Sequence, residues 1–111
     1  MGKGIFVTGT GTDIGKTYVT ALIVKKLRDA GLKAGYYKAA ISGAEKGAQG
    51  ELLPGDALYV NKTAGIGETV ENLVSYVYLE AVSPHLAAQL NAQPIDFNRV
   101  DEAFHRALAK Y

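Results

Sequence analysis

The chain has 111 residues, 48% of them hydrophobic and 21% charged, and a formal net charge of +1. That length allows at most one domain with a modest core, and the near-neutral balance excludes the broad field of a nucleic-acid or anionic-membrane binder. No cysteine is present, which removes disulfides, thiolate metal sites and a cysteine nucleophile and fits a reducing compartment.

Met1 leads almost at once into a first predicted strand, leaving no room for a signal peptide, and no apolar run approaches membrane-spanning length. The expected address is the cytoplasm. The first strand is the run Gly4-Ile5-Phe6-Val7-Thr8. Directly behind it stands Gly9-Thr10-Gly11-Thr12-Asp13-Ile14-Gly15-Lys16-Thr17, and a long helix-compatible stretch follows. A glycine-rich turn between strand and helix, closed by Gly-Lys-Thr, is a phosphate-binding loop. Its backbone N–H groups point into one hollow, and the helix N-terminus adds positive potential there. Lys16 is placed to reach the β/γ-phosphates and the Thr17 hydroxyl to ligate Mg²⁺.

The standard loop has four residues between its first Gly and the Gly-Lys-Thr. Here that position holds Thr10, with the glycine one step earlier at Gly9, so the loop is a longer variant. Gly9, Gly11 and Gly15 also approach a dinucleotide fingerprint. That reading requires an acid at the end of the second strand, roughly 20 residues on, to hold a ribose. The second strand ends Tyr36-Tyr37-Lys38-Ala39, with a lysine and no acid. A glycine turn that binds nothing is the bland alternative, and the strand, the Gly-Lys-Thr and the helix together argue against it.

Thr17 to Ala30 reads as a helix with an apolar stripe of Val19, Leu22, Ile23 and Leu27, stopped at Gly31. Lys25, Lys26 and Arg28 near its end complement the helix dipole and form a solvated face. Leu32 to Ala40 reads as the second strand, completing a parallel βαβ unit. Ligands gather at the C-terminal ends of such strands, which puts Lys38 beside the phosphate loop. A second lysine there can hold charge developing during group transfer, or simply reach solvent.

Ile41 to Gly55 is turn-rich and reads as a mobile active-site loop without a regular element. Ser42 within it can donate to a phosphate or carboxylate. Asp56 opens a helix to about Lys62, either as an N-cap or first-turn acid or as a Mg²⁺ partner of Thr17. Leu73 to Leu79 reads as extended. Glu80 after it is an acid opening a loop, or a Walker-B-like metal or water ligand. Ser83 and Pro84 cap and open a short helix to about Asn91, with His85 on its first turn. Asp96 caps a last helix whose stripe includes Val100, Phe104, Ala107 and Leu108. Only three strands are predicted, and a parallel sheet needs both faces covered. The expectation is therefore that residues 1–111 are the N-terminal part of a larger, P-loop NTPase-like α/β domain, a mostly parallel sheet flanked by helices.

The set resembles dethiobiotin synthetase. The resemblance rests on the loop at 9–17, Gly-Tyr-Tyr-Lys at 35–38, Ser42-Gly43, Asp56-Ala57-Leu58 and Ser83-Pro84-His85. It covers essentially the whole chain but about half of that family's usual length. It implies an ATP- and Mg²⁺-dependent ring closure of 7,8-diaminononanoate with CO₂ or bicarbonate to dethiobiotin, by way of a carbamate and its phosphorylated form. It also implies a homodimer with the diamine site at the subunit interface. Carried over by position, Asp13, Ile14, Gly15, Lys16, Thr17 and Tyr18 form the nucleotide cradle. Thr17 and Asp56 hold Mg²⁺, Lys38 is the catalytic lysine beside Lys16, and Thr12, Lys38 and Ser42 contact substrate.

Two positions depart from the family's habit. Ala39 stands where a proline often follows the lysine, and Gly11 stands where an acid is often found. A further acidic Mg²⁺ ligand and the adenine contacts would lie beyond Tyr111, so the 111 residues alone are expected to be inactive or weak phosphate binders. Another P-loop ATP-dependent carboxylate-activating ligase would share Lys16 and Thr17 without needing the diamine. A partitioning-type ATPase would need a second lysine where Thr10 stands. A non-catalytic binding module would show an exposed apolar patch and no nucleotide affinity.

Overall fold

The computed structural model describes residues 3–7, 13–80 and 82–111, with residues 13 and 14 described in their backbone alone. The elements in chain order are α1 (Asp13–Asp29), β1 (Lys38–Ile41), β2 (Glu45–Lys46), β3 (Leu52–Leu53) and α2 (Gly55–Ala64). There follow α3 (Val70–Leu73), β4 (Val74–Val77), α4 (Pro84–Leu90) and α5 (Phe97–Lys110).

The organising unit is a parallel pair, β1 beside β4, in the register Lys38↔Val74, Ala40↔Tyr76 and Ile41↔Val77. Parallel neighbours need a crossover connection, and α2 lies in it. Past the pair the two segments stay side by side. The Tyr78 amide donates to Ile41 O at 2.7 Å, Ala44 to Tyr78 O at 3.0 Å, and Gly43 to Glu80 O at 2.8 Å. Gly43 takes a φ of 71° there, a left-handed conformation that favours glycine.

Four expectations about strands and loops need correction. Residues 3–7, the described part of the predicted first strand, carry no regular structure, and Ile5 and Phe6 are 70% and 89% exposed. An apolar run becomes a parallel strand only with a ladder partner and cover on both faces, and the described part of this run joins neither described sheet. Thr8 lies outside the described residues. The predicted second strand, Leu32 to Ala40, shrinks to Lys38–Ile41. Its partner strand begins at Val74, and the residues before Val74 are wound into α3, so among the described residues no strand pairs with residues 32–37. For the same reason the extended run predicted from Leu73 begins one residue later, and it ends at Val77. The stretch 41–55 is not without regular structure: β2 and β3 form a small antiparallel hairpin, Glu45 opposite Leu53 and Lys46 opposite Leu52.

Helix α1 begins four residues before the expected start, taking in Asp13, Ile14, Gly15 and Lys16. It ends where Gly31 turns left-handed at φ 88°. Its packing face also differs from the predicted stripe. Ala21 and Val24 are buried against Val60 and Ala64 of α2, while Val19 and Leu22 are 50% and 44% exposed. The small Ala21 side chain lets the two helices approach closely, which outweighs the larger apolar residues beside it. Tyr36 packs against this cluster and also against a second one formed by Ile41, Ala57, Leu73 and Val74. A third cluster holds Tyr76, Tyr78, Ala87 and Ala88 beneath α4. Leu73, Val60 and Tyr78 are fully buried, and burying one such aliphatic side chain contributes about 1.5–3 kcal/mol.

The helix starts predicted at Ser83-Pro84 and Asp96 are found. α2 runs past the expected end near Lys62 to Ala64, where Gly65 closes it in the left-handed region and Ile66 N donates back to Asn61 O at 3.0 Å. The Ser83 side chain accepts from Leu86 N with Pro84 in the first turn, and Asp96 accepts from Asn98 N. On α5 the predicted stripe is only partly covered: Val100, Ala107 and Leu108 are half-buried and Phe104 is 42% exposed, its ring 6.3 Å from that of Tyr37, while Ala103, outside that stripe, is buried. No helix among the described residues is long and apolar enough to cross a membrane.

Candidate active site

The site is assembled where β1, the segment after it and the first turn of α2 meet. Lys38 opens β1 rather than closing it, and its position is fixed by the ladder to Val74. Asp56 sits in the first turn of α2, whose N-cap is Pro54 with no side-chain cap. That settles the choice between cap and first-turn acid in favour of the second. A carboxylate in the first turn faces the positive end of the helix dipole, a favourable placement for an acid. Lys38 Nζ donates to Asp56 Oδ2 at 3.0 Å, the two side chains being 40% and 25% exposed. Tyr36, two residues before Lys38, is half-buried against the core. Its hydroxyl is held well above its ordinary pKa, first by burial and then by the charge on Asp56.

Ser42 and Asp56 line the same cavity, about 310 Å³ in volume. Gly43, Ala44 and Glu45 form one wall, and Leu53 and Leu58 supply apolar surface. The described geometry thus brings together Lys38, Asp56 and Ser42, three residues 18 or fewer positions apart in the chain.

The phosphate-loop residues belong to a different element. Thr12 and the glycines before it lie outside the described residues. Asp13 and Ile14 enter as the first two residues of α1, and Gly15, Lys16, Thr17 and Tyr18 follow in its first turns. A Cβ at Gly15 would meet nothing within 4 Å. Lys16 and Thr17 are half-buried and Tyr18 is 53% exposed. The Lys16 carbonyl accepts from Thr20 Oγ1 at 2.7 Å. The first amides of a helix lack intrahelical acceptors, so this turn offers donors to an anion. α1, which carries the phosphate-loop residues, packs directly on α2, which carries Asp56.

A family model described as an AAA domain matches residues 3–110. The chain belongs to that family. Its α/β architecture, helices around a short parallel sheet, is that of a P-loop-type AAA domain. Among curated relatives, the ATP-dependent dethiobiotin synthetase of Clostridium botulinum strain ATCC 19397 (type A) is 53% identical over 111 residues, covering all of this chain and 48% of the relative. The synthetase of strain 657 (type Ba4) is 56% identical over 104 residues, 94% of this chain and 45% of the relative. That of strain Eklund 17B (type B) is 52% identical over 105 residues, 95% and 46% respectively. The chain spans about half the length of these relatives.

In this AAA-domain chain the oxygen donors suited to Mg²⁺ are the Thr17 hydroxyl and the Asp56 carboxylate. No group of three or more His, Cys, Asp or Glu that could hold a metal occurs among the described residues. A hydroxyl with one carboxylate still fits Mg²⁺, which prefers hard oxygen, keeps several waters and shares its shell with substrate phosphates. Other candidates have structural partners. Glu80 accepts from Asn91 Nδ2 at 2.6 Å, tying the end of β4 to α4. His85 is exposed, 3.4 Å from Gln89.

Two features were not singled out from sequence. One is Tyr36, half-buried against two core clusters and near enough to Asp56 to feel its charge, a role with no motif. The other is Glu45, brought to the cavity by a hairpin too short to leave an alternating pattern. The Gly-Tyr-Tyr-Lys run pointed near the first; only the Ser42-Gly43 turn pointed near the second.

Proposed function

We propose that this chain is the part of an ATP- and Mg²⁺-dependent dethiobiotin synthetase that cradles the triphosphate and receives the diamine, residues 1–111 forming the N-terminal part of one P-loop domain. The observation that carries the reading is the bond from Lys38 to Asp56, whose side chain lines a cavity together with Ser42. It stands on a chain 53% identical along its whole length to such synthetases.

The reaction needs three events. An amine of 7,8-diaminononanoate adds to CO₂, forming an N–C bond and a carbamate. The carbamate oxygen takes the γ-phosphoryl group of ATP, releasing ADP. The second amine then attacks the carbamoyl carbon, closing the ureido ring and expelling phosphate. None of these requires a protein nucleophile, and phosphoryl transfer depends on positioning and charge neutralisation. Mg²⁺, when bound, supplies charge neutralisation on the phosphates. The residues of this chain supply the rest. The backbone from Asp13 to Tyr18, with Lys16, holds the β/γ-phosphates. Thr17 and Asp56 offer oxygens to the metal. Lys38 neutralises the carbamate and the phosphoryl group in flight, and Thr12 and Ser42 orient the substrate. A homodimer in the cytoplasm, with the diamine site completed across the interface, belongs to the same reading.

ADP release by the protein at its full natural length, with and without the diamine and bicarbonate, tests the proposal. Diamine-dependent release that is abolished in Lys16→Ala and Lys38→Ala is expected. ATP turnover indifferent to the diamine would direct the function to another carboxylate-activating ligase.

A further inference from the structure

From the Lys38–Asp56 contact we infer an exchangeable interlock: one carboxylate serves alternately as the resting partner of the substrate lysine and as the metal ligand, so that divalent cation and anionic substrate promote each other's binding. The inference rests on the synthetase reading above.

Three observations carry it. First, the two side chains assigned to different tasks are bonded to each other, Lys38 Nζ to Asp56 Oδ2 at 3.0 Å. An ammonium and a dication on one carboxylate repel each other even through separate oxygens, so each weakens the hold of Asp56 on the other. Second, the pair is exchangeable. Both side chains keep solvent contact, 40% and 25% exposed, and such a pair contributes little to stability. Third, the carboxylate that holds Lys38 opens onto space for a ligand. Asp56 and Ser42 line one cavity of about 310 Å³.

The linkage is reciprocal by thermodynamic necessity. Cation binding at Asp56 frees Lys38 for the carbamate. An anionic substrate that draws Lys38 away frees Asp56 for the cation. In the absence of both, the pair keeps a cationic side chain from being left unpaired beside an empty substrate cavity.

Mn²⁺ affinity, read by electron paramagnetic resonance in the presence of a non-hydrolysable ATP analogue and without diamine, tests this on the full-length protein. Lys38→Met is expected to tighten Mn²⁺ binding at least threefold. That gain is expected to vanish in the Lys38→Met/Asp56→Asn double variant, and Lys46→Met, which removes an exposed lysine of the hairpin, is expected to leave affinity unchanged within twofold. Unchanged affinity in Lys38→Met, with weakening in Asp56→Asn, would overturn the interlock and leave the metal role of Asp56 standing. Equal tightening by Lys46→Met would reduce the effect to overall charge and overturn it too. Affinity indifferent to Asp56→Asn would remove the metal role itself, and the interlock with it.

Discussion

Two lysine–carboxylate pairs in this molecule differ in almost everything but chemistry. At the far end of α5, Lys110 Nζ donates to both carboxylate oxygens of Glu68, at 2.7 and 3.0 Å. Tyr111 OH adds a bond at 2.7 Å, the Thr69 amide one at 3.1 Å and Asn72 Nδ2 one at 3.4 Å. The Glu68 side chain is only 6% exposed. Those donors hold its pKa down to about 2, Lys110 first and Tyr111 second, against the opposing effect of burial. Asp56, by contrast, keeps a quarter of its side chain in solvent and meets Lys38 through one oxygen. A carboxylate saturated by donors is a fastener. One with spare lone pairs beside a cavity is available for exchange, and the difference between the two separates structure from function better than the presence of an ion pair.

Lys38→Ala sharpens the contrast most. It is expected to cut diamine-dependent ADP release by about a hundredfold or more, the scale of losing one preorganised charge-stabilising donor, while chemical unfolding shifts by less than about 1 kcal/mol. A large stability loss with activity retained would invert the assignment. Glu68→Gln should behave in the opposite way. Turnover is expected to hold within about threefold, and stability to fall by about 1–3 kcal/mol in urea unfolding because charged hydrogen bonds are lost.

The pH dependence follows from the same residue. The folded-state pKa of Glu68, about 2, lies below its ordinary value of 4.5. The stabilisation is therefore complete above about pH 4.5 and is lost as pH falls toward 2. At the alkaline end Tyr111 is pushed up to about 12, by burial and by its bond to Glu68. Its contribution is complete below about pH 10 and fades as pH rises to 12. Urea titrations at stepped pH should show both slopes in the parent protein and a flattened acid slope in Glu68→Gln. The smallest effect is reserved for Lys25→Ala. The Lys25–Asp29 pair, 2.9 Å long, has side chains 49% and 66% exposed, and its loss should cost no more than about 0.5 kcal/mol.

Legibility in the sequence followed the range of the forces involved. Ser83-Pro84 and Asp96 act within one turn of their own helices, and they mark the observed starts. Lys38, Asp56 and Ser42 were readable because the motif order of a resembling family carries them, not because spacing alone put them together. The Glu68–Lys110 contact joins residues 42 positions apart and leaves no local trace. The packing face of α1 was missed because hydropathy weights Val19 and Leu22 above Ala21, whereas helix approach is decided by the smallest residue at the crossing. The length of β1 was missed because a strand exists only as far as its partner runs beside it, and α3 decides that from 30 residues away. The hairpin of β2 and β3 is too short for its period to register.

The most direct test of the account is to supply ¹³C-bicarbonate, ATP, Mg²⁺ and 7,8-diaminononanoate to the full-length protein and follow the label by mass spectrometry and NMR. The account predicts one ¹³C in the ureido carbonyl of dethiobiotin, with one ADP released per ring closed and no labelled product from Lys38→Ala. ADP release without label in a ring would contradict it.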